Sequence, residues 1–186
     1  MTAAARTSHL SCSRSTPRDR RSRARNNGWL IAGRYIGDYG SNWLARAVVA
    51  RNALGANTRP ETVYPLALTD SRGRALSGRH RYTLRFPRGQ LPPVGAFWSL
   101  TMYDDERFLV ENAIDRYAVG DRTPGLRRGK DGSLTIHIGR RAPRGAAARA
   151  NWLPAPPGRF RLAMRLYEPK RSVLEERWRP PPLRRR

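Results

Sequence analysis

Hydrophobic and polar residues alternate along several short stretches of the sequence, and this two-residue period constrains the fold more than any other feature. In the clearest stretch, Phe160, Leu162, Met164 and Leu166 are separated by mostly polar residues. Successive side chains of a strand point to opposite faces, so such a stretch buries one face and exposes the other. The same period recurs in RHRYTLRF, FWSLTMYD and SLTIHIG. Because Gly- and Pro-containing turns separate these stretches, we predict a mainly β fold, an antiparallel, jelly-roll-like β-sandwich.

One N-terminal helix is predicted to precede the strands and to pack on the sandwich. Ser41 is suited to cap this helix and Gly55 to end it. Its apolar residues recur at intervals of three and four, which indicates one buried face. That face consists of Trp43, Leu44, Ala47, Val48 and Leu54. A short helical turn is also expected around Val173 and Leu174, after the last clear strand.

The length of 186 residues suits a single domain. Residues 1–27 carry seven arginines against Asp19 and few large apolar groups, so we expect a disordered, arginine-rich tail. Residues 28–183 are predicted to form the β-sandwich domain, and residues 184–186 a basic end after an extended, Pro-rich tail. No apolar run is long enough to cross a bilayer, and no secretory signal is recognised, so a cytoplasmic location is the default expectation.

The formal net charge is +23, which is typical of proteins that bind nucleic acid or another polyanion. Of the 37 basic residues, only Lys130 and Lys170 are lysine, a skew that a GC-rich coding sequence also produces. Weak polyanion binding through the tail therefore remains one hypothesis. A second hypothesis is a basic face on the sheet that binds polyanion. It requires that two arginine-bearing strands are neighbours, and its residues are Arg79, Arg81, Arg85, Arg159, Arg161 and Arg165.

The densest group of polar functional residues lies between Phe97 and Gly125. Arginine forks bind carboxylate or phosphate, and aromatic rings offer a stacking face, so an anion or carbohydrate site is one interpretation. In the structural alternative, Asp115 and Asp121 pair with nearby arginines and turn amides. The candidate ligand-binding residues are Tyr103, Asp115, Arg116, Tyr117, Asp121, Arg122 and Trp152.

Catalytic and metal-binding motifs are weak in this sequence. His80 and His137 are the histidines outside the tail, and neither belongs to a His-x-Glu or paired-His motif. Cys12 is the only cysteine, so no internal disulfide forms, and no Gly-x-Ser-x-Gly elbow is present. We expect no metal site and no cofactor. A carbohydrate- or anion-directed hydrolase remains the alternative, with Tyr103, Asp115, Asp121 and one histidine as its candidates.

The order of several longer motifs adds a resemblance. The motifs are YPLALTD, GRHRYTLRFPRGQLPPVGAFWSLTMYD, IDRYAVGDRTPG, DGSLTIHI, NWLPAPPGRFRLAMRLYEPK and WRPPP. From about Gly28 to Leu183 the chain resembles the bacterial family called domain of unknown function 1214. That domain commonly follows domain of unknown function 1254 in two-domain proteins.

The resemblance implies a jelly-roll-like sandwich with a helix at its start, and it implies no assigned activity. The family's approximate Asp-Tyr pair before the helix corresponds here to Asn42 and Trp43, which weakens any carboxylate role at that position. We therefore expect an uncharacterised structural or ligand-binding module. It is expected to pack on a partner domain of the 1254 type or on a second copy of itself.

Overall fold

The computed structural model describes residues 27–31 and 36–186, and these residues form ten strands and three helices. The predicted disordered tail, apart from Asn27, lies outside the described residues. The strands are β1 Trp29–Ile31, β2 Thr62–Val63, β3 Pro65–Ala67, β4 Tyr82–Phe86, β5 Trp98–Asp104, β6 Ala118–Gly120, β7 Leu134–Gly139, β8 Trp152–Pro154, β9 Phe160–Tyr167 and β10 Leu183–Arg185. The helices are α1 Trp43–Asn52, α2 Ala146–Ala150 and α3 Arg171–Leu174. None of these helices has the length and hydropathy needed to span a membrane.

The strands belong to two sheets. The six-stranded sheet has the order β1-β3-β9-β5-β6, with β2 also paired to β9, and the four-stranded sheet has the order β10-β4-β7-β8. Within the described residues every pair is antiparallel except β7 and β8, which are parallel. The prediction of a purely antiparallel fold is wrong at this pair, because the connection through α2 returns the chain before β8 begins.

The apolar faces of the two sheets meet in one core, in a sandwich-like arrangement. Tyr82 of β4 contacts Phe160 of β9 edge to face, with ring centroids 5.7 Å apart. Phe86 of β4 lies 5.4 Å from the indole of Trp98 on β5. The alternating residues predicted to face inward are buried, which confirms the mainly β fold, and they include Leu84, Leu100, Leu162 and Leu166. The jelly-roll connectivity stays a prediction.

Helix α1 forms where the sequence predicts it, but its apolar face does not pack on either sheet. Trp43, Leu44 and Val48 are 69%, 76% and 49% exposed, and Val49 is the buried residue of the helix. The predicted packing is therefore wrong, because a helical period shows which face is apolar and not what covers it. Asn42 caps the helix in place of the predicted Ser41, since its side chain accepts a hydrogen bond from the Ala45 amide at 2.9 Å.

The segment predicted as an extended tail and basic end is part of the fold. β10 pairs with β4 and forms the edge of the four-stranded sheet. The carbonyl of Pro181 accepts a hydrogen bond from the indole of Trp29 at 2.9 Å, and the carbonyl of Pro180 accepts one from the Asn27 side chain. The proline run therefore docks on β1 before the chain enters β10. The helical turn predicted at Val173 is confirmed as α3.

The two arginine-bearing strands are not neighbours. β4 lies in the four-stranded sheet and β9 in the six-stranded sheet, so their polar faces point away from each other. The six arginines therefore do not form the single basic face considered above. On β9, Arg161 is only 20% exposed at its side chain and lies near Asp105, so it is not freely solvated either.

Candidate functional site

Tyr103, the first of the predicted site residues, lies on the outward face of the six-stranded sheet. Its hydroxyl accepts a hydrogen bond from Nη2 of Arg165 at 2.8 Å. Nη1 of the same guanidinium donates to the hydroxyl of Thr101 at 2.9 Å. Tyr103 and Arg165 are both half-buried. Their hydrogen bond therefore fixes the tyrosine ring and gives the guanidinium a partner within the sheet.

Arg116 connects the two sheets. Its Nη1 donates to the carbonyls of Ala150 at 2.8 Å and Trp152 at 3.0 Å. The last carbonyls of a helix lack partners within the helix, and arginine commonly satisfies them. Trp152 is held in turn by its indole, which donates to the carbonyl of Gly139 at 2.8 Å. These contacts fix α2 and β8 against the β5–β6 connection.

Asp121 and Arg122 lie at the far end of β6. A carboxylate oxygen of Asp121 accepts the amide hydrogen bond of Trp98 at 3.2 Å. The guanidinium carbon of Arg122 lies 4.1 Å from the ring centroid of Phe97, and that ring stacks on Tyr167 with centroids 4.2 Å apart. The Arg122 guanidinium therefore makes a cation–π contact with a half-buried ring, a contact that is worth about 0.5–1 kcal/mol at exposed sites.

Asp115 and Tyr117 lie in the turn that leads into β6. Asp115 has a backbone φ of +47°, and its carboxylate is 3.5 Å from the hydroxyl of Tyr117. The turn itself is organised by Asn112, whose side chain accepts from the amide of Arg116 and donates to the carbonyls of Val110 and Arg116. Sequence reasoning missed Asn112, although an asparagine before a short loop is a recognised turn signal.

The seven predicted residues occupy two separate places. Tyr103 and Arg116 lie at one end of the β5–β6 pair, whereas Asp121 lies opposite Trp98 at the other end. Trp98 and Tyr103 are five positions apart on β5, which is about 16 Å of backbone. The structure thus brings Arg116 to the backbone of Trp152, and it places Asp121 at the opposite end of the β5–β6 pair from Tyr103. Ligand binding by this segment stays a prediction.

The two histidines have lowered pKa values. Partial burial lowers the pKa of His80, and the nearby charge of Arg185 lowers it further. Burial also lowers the pKa of His137, with a further contribution from Arg186. In the part of the chain that the structure describes, no group of three or more His, Cys, Asp or Glu residues is placed to hold a metal ion.

Exposed apolar side chains form a second candidate site, which we call the α1 surface. It comprises Trp43, Leu44, Val48, Leu54, Phe108, Leu109 and Ile114. The last three belong to the β5–β6 connection, which contacts α1 through a hydrogen bond from Arg107 Nη1 to the carbonyl of Arg51. Phe108 is 66% exposed and Leu54 is 87% exposed. The sequence signal for the loop part is the apolar run FLV at residues 108–110, which follows three acidic residues and Arg107.

Together, the fold and the α1 surface define a mainly β, sandwich-like module with an uncovered apolar side. Residues 61–171 match the family described as "Protein of unknown function (DUF1214)". Since that match covers more than half of the chain, the protein belongs to this family, and the predicted resemblance is confirmed over residues 61–171.

Two solved structures are similar to this chain. One is the VPA0106 protein from Vibrio parahaemolyticus, with 30% identity, a TM-score of 0.63, and coverage of 75% of this chain and 34% of that chain. The other is an uncharacterized protein from Burkholderia cenocepacia, with 20% identity, a TM-score of 0.43, and coverage of 68% of this chain and 30% of that chain. This chain thus spans about a third of the length of each. No curated protein matches it.

Proposed function

We propose that this protein is a packing module that docks on a partner domain through the α1 surface. The observation that carries the proposal is the exposure of Trp43, Leu44, Leu54 and Phe108 on adjoining segments of an otherwise well-packed domain. Soluble monomers rarely expose large contiguous apolar patches, and such patches commonly mark interaction sites. Aromatic residues are also enriched at the centres of protein interfaces.

The partner is a different domain rather than a second copy. In the Vibrio protein, roughly two thirds of the chain lies outside the matched region, so a similar fold occurs there with more polypeptide around it. Two copies of a chain with a net charge of +23 repel each other, whereas a partner of lower or negative charge does not. Exposed Arg46, Arg51 and Arg107 lie on or beside this surface, so we expect acidic residues opposite them.

The finer points of the resemblance belong to the same proposal. They are a partner of the 1254 type and a jelly-roll connectivity. A cytoplasmic location stays the default expectation from the sequence. The family is described only as one of unknown function, so we propose no reaction.

The solved Vibrio structure offers a direct test. The helix that superposes on α1 should have the counterparts of Trp43, Leu44 and Val48 covered by the rest of that chain. If those positions face solvent in that structure, or if no such helix exists there, the docking proposal is wrong.

Substitutions in this chain give a second test. Replacing two exposed residues, Leu44→Ser with Leu54→Ser, should reduce the binding of a hydrophobic fluorescent dye and leave the thermal midpoint nearly unchanged. The matched control is Val49→Ser, which places a hydroxyl at the buried position of the same helix and should cost about 1–3 kcal/mol. Equal destabilisation by the exposed pair and by the control would mean that the α1 surface serves the fold and not a partner.

A further inference from the structure

A groove of about 950 Å³ lies on the outer face of the four-stranded sheet. Its floor includes Thr83 and Arg85 of β4 and Thr135 of β7. The loop before β5 and the segment between α3 and β10 form its walls, and the indole of Trp178 donates to the carbonyl of Gln90 at 3.3 Å and joins them. This volume is within the usual range for small-molecule sites, which is about 300–1,000 Å³.

The groove is strongly cationic. None of the described residues that line it is acidic, and five of them are arginines: Arg85, Arg177, Arg179, Arg184 and Arg186. Two of these arginines are compensated from outside the lining, because Arg85 pairs with Asp131 and Arg177 pairs with Glu175. Of the other three, Arg179 precedes the proline run, and Arg184 and Arg186 lie on the β10 side of the groove.

Arg184 and Arg186 supply the positive charge of the β10 side. Arg184 lies opposite Thr83 in the β10–β4 pairing, and the amide of Arg186 donates to the carbonyl of Arg81 at 2.8 Å and continues that pairing. Alternate residues of a strand share a face and lie about 7 Å apart. No salt bridge reaches either side chain from the described residues. Two guanidinium forks on one face therefore have no salt-bridge partner among the described residues.

The electrostatics of the neighbouring strand agree with this geometry. His137 lies on β7 beside Thr83, and after burial the charge of Arg186 is the second cause of its lowered pKa. The positive field of β10 thus extends across β4 to β7. An anion bound in the groove would reduce this field and make the protonated imidazole easier to form.

We propose that this groove binds a small phosphate ester whose organic part carries a ring. A phosphate monoester has a charge of about −1.5 to −2 near neutral pH, which matches the two uncompensated guanidiniums. Guanidinium forks bind phosphate oxygens bidentately, and the hydroxyls of Thr135 and Ser172 add neutral donors. Trp178, Leu91 and the wall prolines provide an apolar surface for the ring.

A small ligand fits this groove better than a nucleic acid does. Grooves that hold single strands stack successive bases on several aromatic residues, and Trp178 is the aromatic residue in this lining. The arginines of β9 lie on the other sheet and do not extend the groove into a long basic track.

The test is isothermal titration calorimetry on the full chain with phenyl phosphate, at physiological ionic strength. We expect saturable binding with one ligand per chain, weakened about tenfold or more by Arg184→Ala, since a charged hydrogen bond is lost. The matched control is Arg159→Ala, which removes the same charge from an exposed position outside the groove and should leave the affinity unchanged. If Arg184→Ala disturbs the edge strand, Arg186→Ala is expected to give the same loss.

Further probes separate the parts of the proposal. Inorganic phosphate should bind more weakly than phenyl phosphate because it lacks the ring, and benzoate should bind more weakly because it carries less charge. Absence of saturable phenyl phosphate binding would overturn the proposal. So would equal weakening by Arg184→Ala and Arg159→Ala, or tighter binding of duplex DNA that Arg184→Ala leaves unchanged, since both would indicate generic attraction to a basic surface.

Discussion

The hydroxyl of Tyr103 accepts a hydrogen bond of 2.8 Å from the guanidinium of Arg165, across the outward face of β5 and β9. The alternating arginines of β9 predict side chains in solvent. The Arg165 side chain is instead half-buried, and it donates hydrogen bonds to the hydroxyls of Tyr103 and Thr101. A residue proposed as a ligand-binding group therefore already has a structural partner.

Tyr103→Phe is expected to lower the free energy of unfolding by about 1 kcal/mol, because Arg165 loses one acceptor and keeps the other. The matched control is Tyr117→Phe, since the Tyr117 hydroxyl has only a 3.5 Å contact to Asp115. Urea denaturation of both variants measures the difference. Equal effects of the two substitutions would show that the Arg165 contact does not stabilise the sheet.

Gly78 and Gly158 give a second pair of matched substitutions. A Cβ atom at Gly78 would lie 1.7 Å from the carbonyl oxygen of Pro156, whereas nothing lies within 4 Å of a Cβ at Gly158. The two glycines are themselves joined by a backbone hydrogen bond of 2.9 Å. Gly78→Ala should therefore cost about 3 kcal/mol, and Gly158→Ala should change stability very little. A thermal melt that ranks the two variants in the opposite order would contradict this account.

The strands could be predicted from the sequence because alternation is a local property. Leu100 and Leu162 face inward because successive strand residues alternate between the two faces of a sheet. This prediction needs no information about residues far away in sequence. Pairing partners are not local. The parallel contact of β7 with β8, and the addition of β10 to β4, depend on where chain segments far apart in sequence meet. The apolar face of α1 was predicted, but what covers it is not encoded in the period of the helix.

The candidate sites show the same division. The composition of the segment around Arg116 indicates a candidate site. The contacts that Arg116 makes with Ala150 and Trp152 could not be predicted, because these residues are 34 and 36 positions away in sequence. The sequence predicts only a basic end at Arg184 and Arg186, because no local pattern indicates that a segment after a proline run forms an edge strand. The groove could not be predicted from the sequence, because its lining residues come from segments that are far apart along the chain.

The lowered pKa of His137 predicts a loss of stability in mild acid. Burial and Arg186 hold this pKa below the ordinary value of 6.5, so the unfolded chain binds a proton more readily than the folded chain does. The free energy of unfolding should therefore fall as the pH decreases below about 6.5, and it should level off once the pH is below the folded pKa. His137→Gln should reduce this dependence in urea titrations between neutral pH and pH 5, and His80→Gln should remove a further part. An unchanged pH profile in the double variant would contradict the assignment.

Asp70 predicts a separate loss of stability in stronger acid. Its side chain is 1% exposed, and burial alone would raise its pKa, but hydrogen bonds from Arg74 and from the amides of Arg72 and Arg74 lower it below 3.8. A carboxylate with a lowered folded pKa stabilises the protein above its unfolded pKa, and this stabilisation is lost as the pH falls through the folded pKa.

Asp70→Asn keeps an acceptor for the two amides and loses the ion pair, so we expect a cost of about 1–3 kcal/mol at pH 7. We also expect a flatter acid limb, which is the part of the stability profile where stability falls with decreasing pH. The control is Asp105→Asn, because the Asp105 side chain is 66% exposed and its 3.7 Å pair with Arg161 should contribute little. Acid titrations of both variants by circular dichroism measure the effect, and an acid limb as steep in Asp70→Asn as in the unmodified protein would show that other carboxylates control the transition.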